Sequence, residues 1–97
     1  MYYKLGDDGK TPMPCEAKDL KVGIRVALDQ THGYRISSVF LGIDHNFDGG
    51  RPLLFETMIF LDHGPLSELY CDRYSTWDEA AEGHAAVLKR IQEGWKP

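Results

Sequence analysis

The C-terminal part of the chain contains one amphipathic segment, and this segment constrains the fold more than any other feature. Thr76 followed by Glu79 predicts a capping box at a helix N-terminus, and Gly94 predicts the end of the helix. Between them, apolar residues recur at the spacing of one helix face. That face consists of Trp77, Ala80, Ala81, Val87, Leu88 and Ile91, with His84 in its middle. A helix with a single apolar face has to pack on another apolar surface, so the preceding segments must provide one.

The segments before this helix have the patterns of β-strands. Residues 22–29 alternate between apolar and polar side chains, so Leu28 is expected on the core side and Asp29 towards water. Residues 34–43 and 53–61 carry apolar side chains on both faces, which is typical of central strands. The polar, glycine-rich stretch between these two strands predicts an antiparallel hairpin with a long loop.

The remaining segments predict short, peripheral elements. Residues 2–5 and 69–74 have the composition of short strands, and the two prolines within residues 11–14 predict a connector, because proline lacks an amide donor. The sequence therefore predicts a single α+β domain over residues 1–97. Its antiparallel β-sheet is expected to have about four to five strands, with one C-terminal α-helix packed on one face.

Composition and charge narrow the functional classes. The 97 residues are 42% hydrophobic and 27% charged, which is an ordinary globular composition. The net charge is −4 and the 11 Lys and Arg residues are scattered, which argues against direct nucleic-acid binding. No apolar stretch is long enough to span a membrane, and the chain starts with a polar turn rather than a signal peptide, so the cytoplasm is the expected location. Cys15 and Cys71 do not form a metal-type pair, and a disulfide between them is left open.

The loop between the two central strands starts like a calcium-binding loop. Asp44, Asn46 and Asp48 stand at alternate positions and are followed by glycine, as in loops whose short oxygen side chains converge on Ca²⁺. The position that should carry a bidentate glutamate is Phe55, however, and Glu56 falls one residue late. Strands rather than helices are expected on both sides. These departures argue against calcium and favour a hairpin loop built from turn-forming residues.

Four residues of this region and of the helix form a candidate site cluster, namely Asp44, His45, Glu56 and His84. Carboxylates and imidazoles can bind a transition metal or carry general acid–base chemistry. His84 lies within the apolar face of the helix, so its side chain must point at the sheet, where a buried imidazole needs a hydrogen-bond partner. Glu56 is the predicted partner. A structural contact between His84 and Glu56 is favoured over a metal site, a catalytic site or a ligand pocket.

The chain is rich in aromatic residues for so small a core. Surplus aromatic side chains at the surface would favour partner binding or self-association, whereas a core larger than expected would absorb them. Both interpretations are open from the sequence. Phe47, at the tip of the polar loop, is the best single candidate for a residue that contacts a partner.

Three blocks of the sequence resemble a widespread group of small proteins encoded by bacteriophages and prophages. The blocks are residues 36–45 (ISSVFLGIDH), 52–60 (PLLFETMIF) and 74–84 (YSTWDEAAEGH), whereas the segment around residues 15–20 is shorter and less helical than in the group. Because the blocks contain all four residues of the candidate cluster, the resemblance implies that these residues lie together for a reason. The group has glycines near the position of Asp48, which weakens the calcium interpretation further.

The resemblance implies an accessory role, because small phage proteins often bind and inhibit a host factor or sequester a defence signal. We therefore expect a non-enzymatic binding protein in the host cytoplasm. It would act as an anti-defence factor by binding a host or phage protein through an aromatic surface, as a monomer or a small homo-oligomer. One alternative is a metal-dependent or acid–base enzyme centred on Asp44, His45, Glu56 and His84. The sequence contains no nucleophile elbow that would support nucleophilic catalysis. Another alternative is a sponge for a small nucleotide-like ligand, although the sequence contains no glycine-rich phosphate-binding loop.

Overall fold

The computed structural model describes residues 1–64 and 67–97 and has the predicted α+β architecture. Its elements are β1 (Tyr2–Leu5), β2 (Pro12–Cys15), a 3₁₀ turn (Ala17–Asp19), β3 (Ile24–Thr31), β4 (Tyr34–Phe40), β5 (Phe55–Leu61), β6 (Tyr70–Tyr74) and α1 (Trp77–Gln92). Strands β3 to β6 form one antiparallel sheet in the order β3-β4-β5-β6, and β1 pairs with β2 in a separate hairpin. The helix packs on one face of the four-stranded sheet.

The two central strands are β4 and β5, as their two-sided apolar pattern predicts. They pair in antiparallel register, with Ile36 opposite Ile59 and Phe40 opposite Phe55. All four side chains are fully buried, because directly opposite residues share a face and this face carries the helix. The outer strands are β3 and β6, so the predicted edge position of the strand before the helix is confirmed.

The helix begins and ends as its sequence predicts. The Thr76 hydroxyl accepts a hydrogen bond from the Glu79 amide, and the Glu79 carboxylate accepts one from the Thr76 amide, each at 3.1 Å. At the other end Gly94 has a φ of 103°, which lets the chain reverse without a steric penalty. Trp95 folds back so that the Arg90 guanidinium lies 4.0 Å from the centre of its ring. The predicted capping box and the predicted end of the helix at Gly94 are both confirmed.

The core between helix and sheet consists of two apolar clusters. The first contains Ile36, Ile59, Val87 and Ile91, and the second contains Phe40, Leu54, Phe55 and Ala80. Most of the aromatic side chains pack around these clusters. Tyr34, Tyr70 and Trp95 lie against the first, and Tyr3, Tyr74 and Trp77 lie against the second. The core therefore absorbs most of the aromatic surplus, while Phe47 and Tyr2 are exposed.

A β-bulge in β3 reverses the side on which its later residues point. The register shifts by one residue between Arg25 and Ala27, so that Asp29 lies opposite Ile36, a residue under the helix. Because side chains alternate between the two faces of a sheet, one extra residue exchanges the faces for everything that follows. Asp29 consequently points to the helix, and Leu28 points to the other face, where it is 48% exposed. The predicted sides of Leu28 and Asp29 are therefore wrong.

The proline-containing segment is an edge strand rather than the predicted connector. Pro12 lies opposite Leu5, and Pro14 lies opposite Tyr3, in the hairpin of β1 and β2. Prolines at alternate positions leave both missing amide donors on the outer side of the hairpin, where no ladder hydrogen bond is lost. The hairpin packs Tyr3 and Leu5 against the second apolar cluster.

Gly83, in the middle of α1, lies directly against the Tyr74 ring, and a Cβ at this position would overlap the end of that ring. We predict that Gly83→Ala lowers the free energy of unfolding by about 1–3 kcal/mol, although alanine is the better helix former by about 1 kcal/mol. Urea denaturation followed by circular dichroism measures the change. Tyr74→Leu should relieve the loss, and a more stable Gly83→Ala protein would contradict the packing described here. Ala86→Gly, at an exposed position of the same helix, is the control for helix propensity alone.

Candidate functional site

His84 occupies the middle of α1 and points at the sheet, as its place in the apolar face of the helix predicts. It is 3% exposed. Its Nε2 atom lies 2.7 Å from Oδ2 of Asp29 on β3, and its Nδ1 atom lies 2.7 Å from Oγ of Ser38 on β4. Both ring nitrogens therefore have a hydrogen-bond partner, which is what burial of an imidazole requires.

The hydrogen bonds of His84 continue across the sheet beneath the helix. The Ser38 hydroxyl lies 2.5 Å from the Thr57 hydroxyl on β5, and the Tyr74 hydroxyl on β6 is the next polar group beyond Thr57. Each of the four strands thus contributes one polar side chain. Together, Asp29, Ser38, Thr57, Tyr74 and His84 form a polar belt. Along both sheet and helix, the belt lies between the two apolar clusters of the core.

The chemistry of the partners sets the direction of these hydrogen bonds. The Asp29 carboxylate can only accept, so the proton of a neutral His84 ring is on Nε2. Nδ1 then accepts from the Ser38 hydroxyl, and Ser38 accepts from Thr57. Among the described residues, no buried side-chain nitrogen or oxygen lacks a partner. The belt is therefore fully satisfied, which is the condition under which a buried polar network makes a core more rigid.

The Tyr74 hydroxyl ends the belt at the β6 edge of the sheet. Burial raises the pKa of this phenol above its ordinary value of 10.0, and the Thr57 side chain acts in the opposite direction. The phenol is consequently protonated near neutral pH.

The belt has the side-chain order of a nucleophilic triad, since a carboxylate, an imidazole and a hydroxyl follow one another. A triad needs its hydroxyl in contact with substrate, but Ser38 and Thr57 are completely buried between helix and sheet. Only the Asp29 end opens to the surface substantially, with a side chain that is 43% exposed. The arrangement ties the helix to the sheet and leaves no room for a reacting group at Ser38.

The predicted contact between His84 and Glu56 is wrong. Glu56 precedes Thr57 on β5, and neighbouring residues of a strand point to opposite faces, so its side chain lies on the far side of the sheet from His84. There its carboxylate accepts a hydrogen bond from Arg73 Nε at 3.0 Å. The Cys71 thiol lies 3.7 Å from the same carboxylate oxygen. The Glu56 side chain therefore lies on the face of the sheet opposite the helix, where it pairs with Arg73.

The other two residues of the predicted cluster are engaged in the loop between β4 and β5. Asp44 Oδ1 accepts hydrogen bonds from the amides of Asn46 at 2.8 Å and Leu53 at 2.9 Å, and these bonds lower the pKa of the carboxyl. His45 Nδ1 lies 2.8 Å from the carbonyl oxygen of Ile43. Both side chains thus interact with backbone groups of the loop itself. In the part of the chain that the structure describes, no three His, Cys, Asp or Glu side chains are arranged to hold a metal ion.

Four members of the polar belt were missed by the sequence analysis, namely Asp29, Ser38, Thr57 and Tyr74. Ser38 and Thr57 do carry a signal, because a polar residue in the middle of a strand that is apolar on both faces needs a buried partner. Asp29 carries no such signal. Its alternation with Leu28 predicts the wrong face of the sheet for its side chain, and the sequence pattern does not reveal the bulge that turns it towards the helix.

Both cysteines are free thiols, so the disulfide that the sequence left open is not formed. Cys71 lies opposite Met58 on the face that also carries Glu56. Burial and the neighbouring Glu56 carboxylate raise the pKa of the Cys71 thiol to about 11. The thiol is therefore protonated near neutral pH, and a protonated thiol is a poor nucleophile.

The face of the sheet opposite α1 has no helix or strand of the described residues packed across it, and it is the open face. Its middle row consists of Leu28, Ser37, Met58 and Cys71, which lie opposite one another on the four strands. The rows on either side consist of Arg25, Val39, Glu56 and Arg73, and of Gln30, Arg35 and Phe60. The apolar side chains of this face are all partly exposed.

Elsewhere on the surface of the described residues lie shallow cavities, two of which are large enough to consider as ligand sites. The larger, of about 230 Å³, lies between the β1–β2 turn and the start of the helix, where Asp8 and Asp78 line it. The smaller, of about 180 Å³, lies between Tyr34 and Trp95 at the end of the helix. Both are below the range of about 300–1,000 Å³ that small-molecule sites occupy. With two carboxylates against the one ammonium group of Lys10, the lining of the larger cavity is also net negative, which disfavours a phosphate. Neither cavity therefore favours the nucleotide-sponge alternative.

The chain matches no protein-family model, no curated protein and no solved structure. Among the described residues, no helix is both long enough and apolar enough to cross a membrane. The function therefore has to be inferred from the polar belt and the open face themselves.

We predict that His84→Ala lowers the free energy of unfolding by about 2–4 kcal/mol, because it leaves a cavity and removes the acceptor of the buried Ser38 hydroxyl. Asp29→Asn should cost only about 1 kcal/mol, since the amide oxygen can still accept from Nε2. Urea denaturation measures both. In double-mutant cycles, His84 should couple to Asp29, whereas the control Glu56→Gln should show no coupling to His84. Coupling of His84 to Glu56 rather than to Asp29 would contradict the polar belt.

Proposed function

We propose that the protein is a non-enzymatic binding module that engages a partner protein through the open face of its sheet. The observation that carries this proposal is the contrast between the two faces. Ile36 and Ile59, under the helix, are 0% exposed, whereas Leu28, on the open face, is 48% exposed. A sheet face with apolar side chains normally packs against another layer. The described residues supply no such layer, and a partner protein would.

The apolar part of the open face is continuous. Leu28 and Met58 belong to the same cross-strand row, and Val39 and Phe60 flank that row on the two central strands. Neighbouring rows on one face of a sheet are about 7 Å apart, so these four side chains form one patch. An apolar patch rimmed by polar and charged groups is typical of a surface that binds another protein.

The chemistry of the buried groups also favours binding over catalysis. The Ser38 hydroxyl is sealed under the helix, and the Cys71 thiol is held protonated. Glu56 and His84, the two strongest candidates for acid–base chemistry, lie on opposite faces of the sheet. An enzymatic alternative would thus have to assemble its reacting groups from residues that have other partners in this fold.

The resemblance of three sequence blocks to phage and prophage proteins supports a host protein as the partner. In that setting, occupation of a host protein's surface would be the way in which the chain interferes with a host defence. A sheet face is suited to this task, because the strands already fix its backbone and no segment has to become ordered on binding.

A pair of matched variants tests the proposal. Leu28→Gln/Met58→Gln should weaken binding of the partner by at least about tenfold, because both apolar contacts are lost, whereas Leu61→Gln should leave the affinity unchanged. Leu61 is the matched control because it lies on the same strand as Met58, is 43% exposed and points to the helix side of the sheet. Immobilised wild-type protein and both variants are incubated with a bacterial lysate. A retained protein is identified by mass spectrometry and purified, and its affinity is measured by calorimetry.

Circular dichroism of each variant shows that loss of binding is not loss of fold. A purified partner that binds Leu28→Gln/Met58→Gln as tightly as wild type would refute the proposal. So would turnover of a substrate by the pure protein, if His84→Ala abolished the turnover without unfolding the chain.

Phe47, the contact residue predicted from the sequence, is tested separately. Its side chain is 87% exposed at the loop tip. We predict that Phe47→Ala changes the free energy of unfolding by less than about 0.5 kcal/mol, because so exposed a side chain has few contacts to lose. A loss of affinity for the purified partner at unchanged stability would identify Phe47 as a contact residue. Unchanged affinity would remove it from the interface.

A further inference from the structure

We infer that the partner of the open face is an acidic, extended protein segment in which two carboxylates flank an apolar residue. The inference rests on the proposed function and adds the chemistry of the partner. It starts from Arg25 and Arg35, which both lie on the open face. Among the described residues, neither guanidinium has a carboxylate partner.

Positive charge is concentrated on this face of an otherwise acidic chain. Three of the five arginines, Arg25, Arg35 and Arg73, lie there, although the net charge of the chain is −4. Arg73 is already neutralised by Glu56 at 3.0 Å. The Asp62 carboxylate, just beyond the end of β5, also lies beside this face, where it accepts a hydrogen bond from a glutamine of β3 at 3.0 Å and keeps its charge. The three arginines therefore outnumber the two carboxylates by one, and a negatively charged partner complements this positive excess.

The Arg35 side chain is already restrained in a position from which it can bind a carboxylate. Its guanidinium lies 5.3 Å from the centre of the Phe60 ring, and the residue is half-buried. Stacking on the ring restrains the long side chain but leaves N–H groups at the edge of the guanidinium, where they can bind a carboxylate in a bidentate manner. Because the side chain is already ordered, less conformational entropy is lost when a carboxylate binds.

The register of β3 and β4 sets the spacing of the two charges. Arg25 lies opposite Val39, which is four residues along β4 from Arg35. At about 3.3 Å per residue, the two arginine positions are about 13 Å apart along the strands. Leu28 lies between them on β3. An extended segment presents residues i, i+2 and i+4 on one face, so the matching partner has acidic residues at i and i+4 and an apolar residue at i+2.

The same charges disfavour two other occupants. A second copy of this chain, bound face to face, would bring like-charged arginines together, which costs binding free energy. A single-stranded nucleic acid would need aromatic rings on which its bases can stack. Phe60 is the one aromatic ring on the open face of the described sheet, and Arg35 already lies over it.

Selection from a yeast-displayed library of random dodecapeptides tests the inference. The targets are the wild-type protein, Arg25→Gln/Arg35→Gln, Leu28→Gln/Met58→Gln and the control Lys10→Gln/Lys89→Gln. The control removes the same charge from the helix side, because Lys10 lines the cavity beside the helix N-terminus and Lys89 is exposed on α1. We expect wild type and control to enrich peptides with acidic residues at i and i+4 around an apolar residue. Arg25→Gln/Arg35→Gln should bind these peptides about three- to tenfold more weakly, and added salt should reduce that difference.

The outcomes separate this inference from the proposed function. Enriched peptides that are apolar but not acidic, and that are lost with Leu28→Gln/Met58→Gln, would overturn the inference and leave the proposed function in place. Peptides whose affinity is unchanged by every open-face substitution would overturn both the inference and the proposed function. Failure of wild type to enrich any peptide over Leu28→Gln/Met58→Gln would overturn the inference as well. So would tighter binding of an oligothymidine strand than of any peptide, or a dimer of the wild-type chain that Leu28→Gln/Met58→Gln dissociates.

Discussion

The docking of the helix on the sheet depends on the imidazole of His84. Apolar contacts have no direction, so an apolar helix face alone would tolerate several positions on the sheet. His84 removes that freedom, because its two nitrogens meet Asp29 and Ser38 at 2.7 Å each in a single position. A shift of the helix by one turn, about 5.4 Å, would leave the imidazole and the Ser38 hydroxyl buried without partners. The polar belt therefore sets the position of the helix, while the apolar clusters on either side supply most of the favourable free energy.

One extra residue in β3 gives both faces of the sheet their character. The bulge before Ala27 turns Asp29 towards the helix, where it accepts a hydrogen bond from His84. The same shift turns Leu28 to the open face, between the rows that carry Arg25 and Arg35. With strict alternation, His84 would lose its carboxylate partner and the open face would lose an apolar residue of its middle row. The buried network and the proposed interface thus have a common origin in β3.

The fold can be predicted from the sequence wherever a local pattern decides the outcome. The capping box, the apolar face of α1 and the two-sided pattern of the central strands together lead to the observed architecture. The partner of His84 is a different matter. Its burial follows from its place on the helix, but the choice between Asp29 and Glu56 depends on which way each side chain points. The bulge decides this for Asp29, and its place depends on the pairing of β3 with β4, a tertiary contact without a local signal.

The charges of the open face determine what kind of surface its apolar patch can be. A flat apolar sheet face invites association with any similar surface, including another copy of the same chain. Here arginines stand on both sides of the patch, and the Glu56 carboxylate is already bound by Arg73. A surface with the same charges is repelled, whereas an acidic surface is attracted by the same side chains. Arg25 and Arg35 therefore contribute to specificity in two ways, since they disfavour self-association and favour a partner of opposite charge.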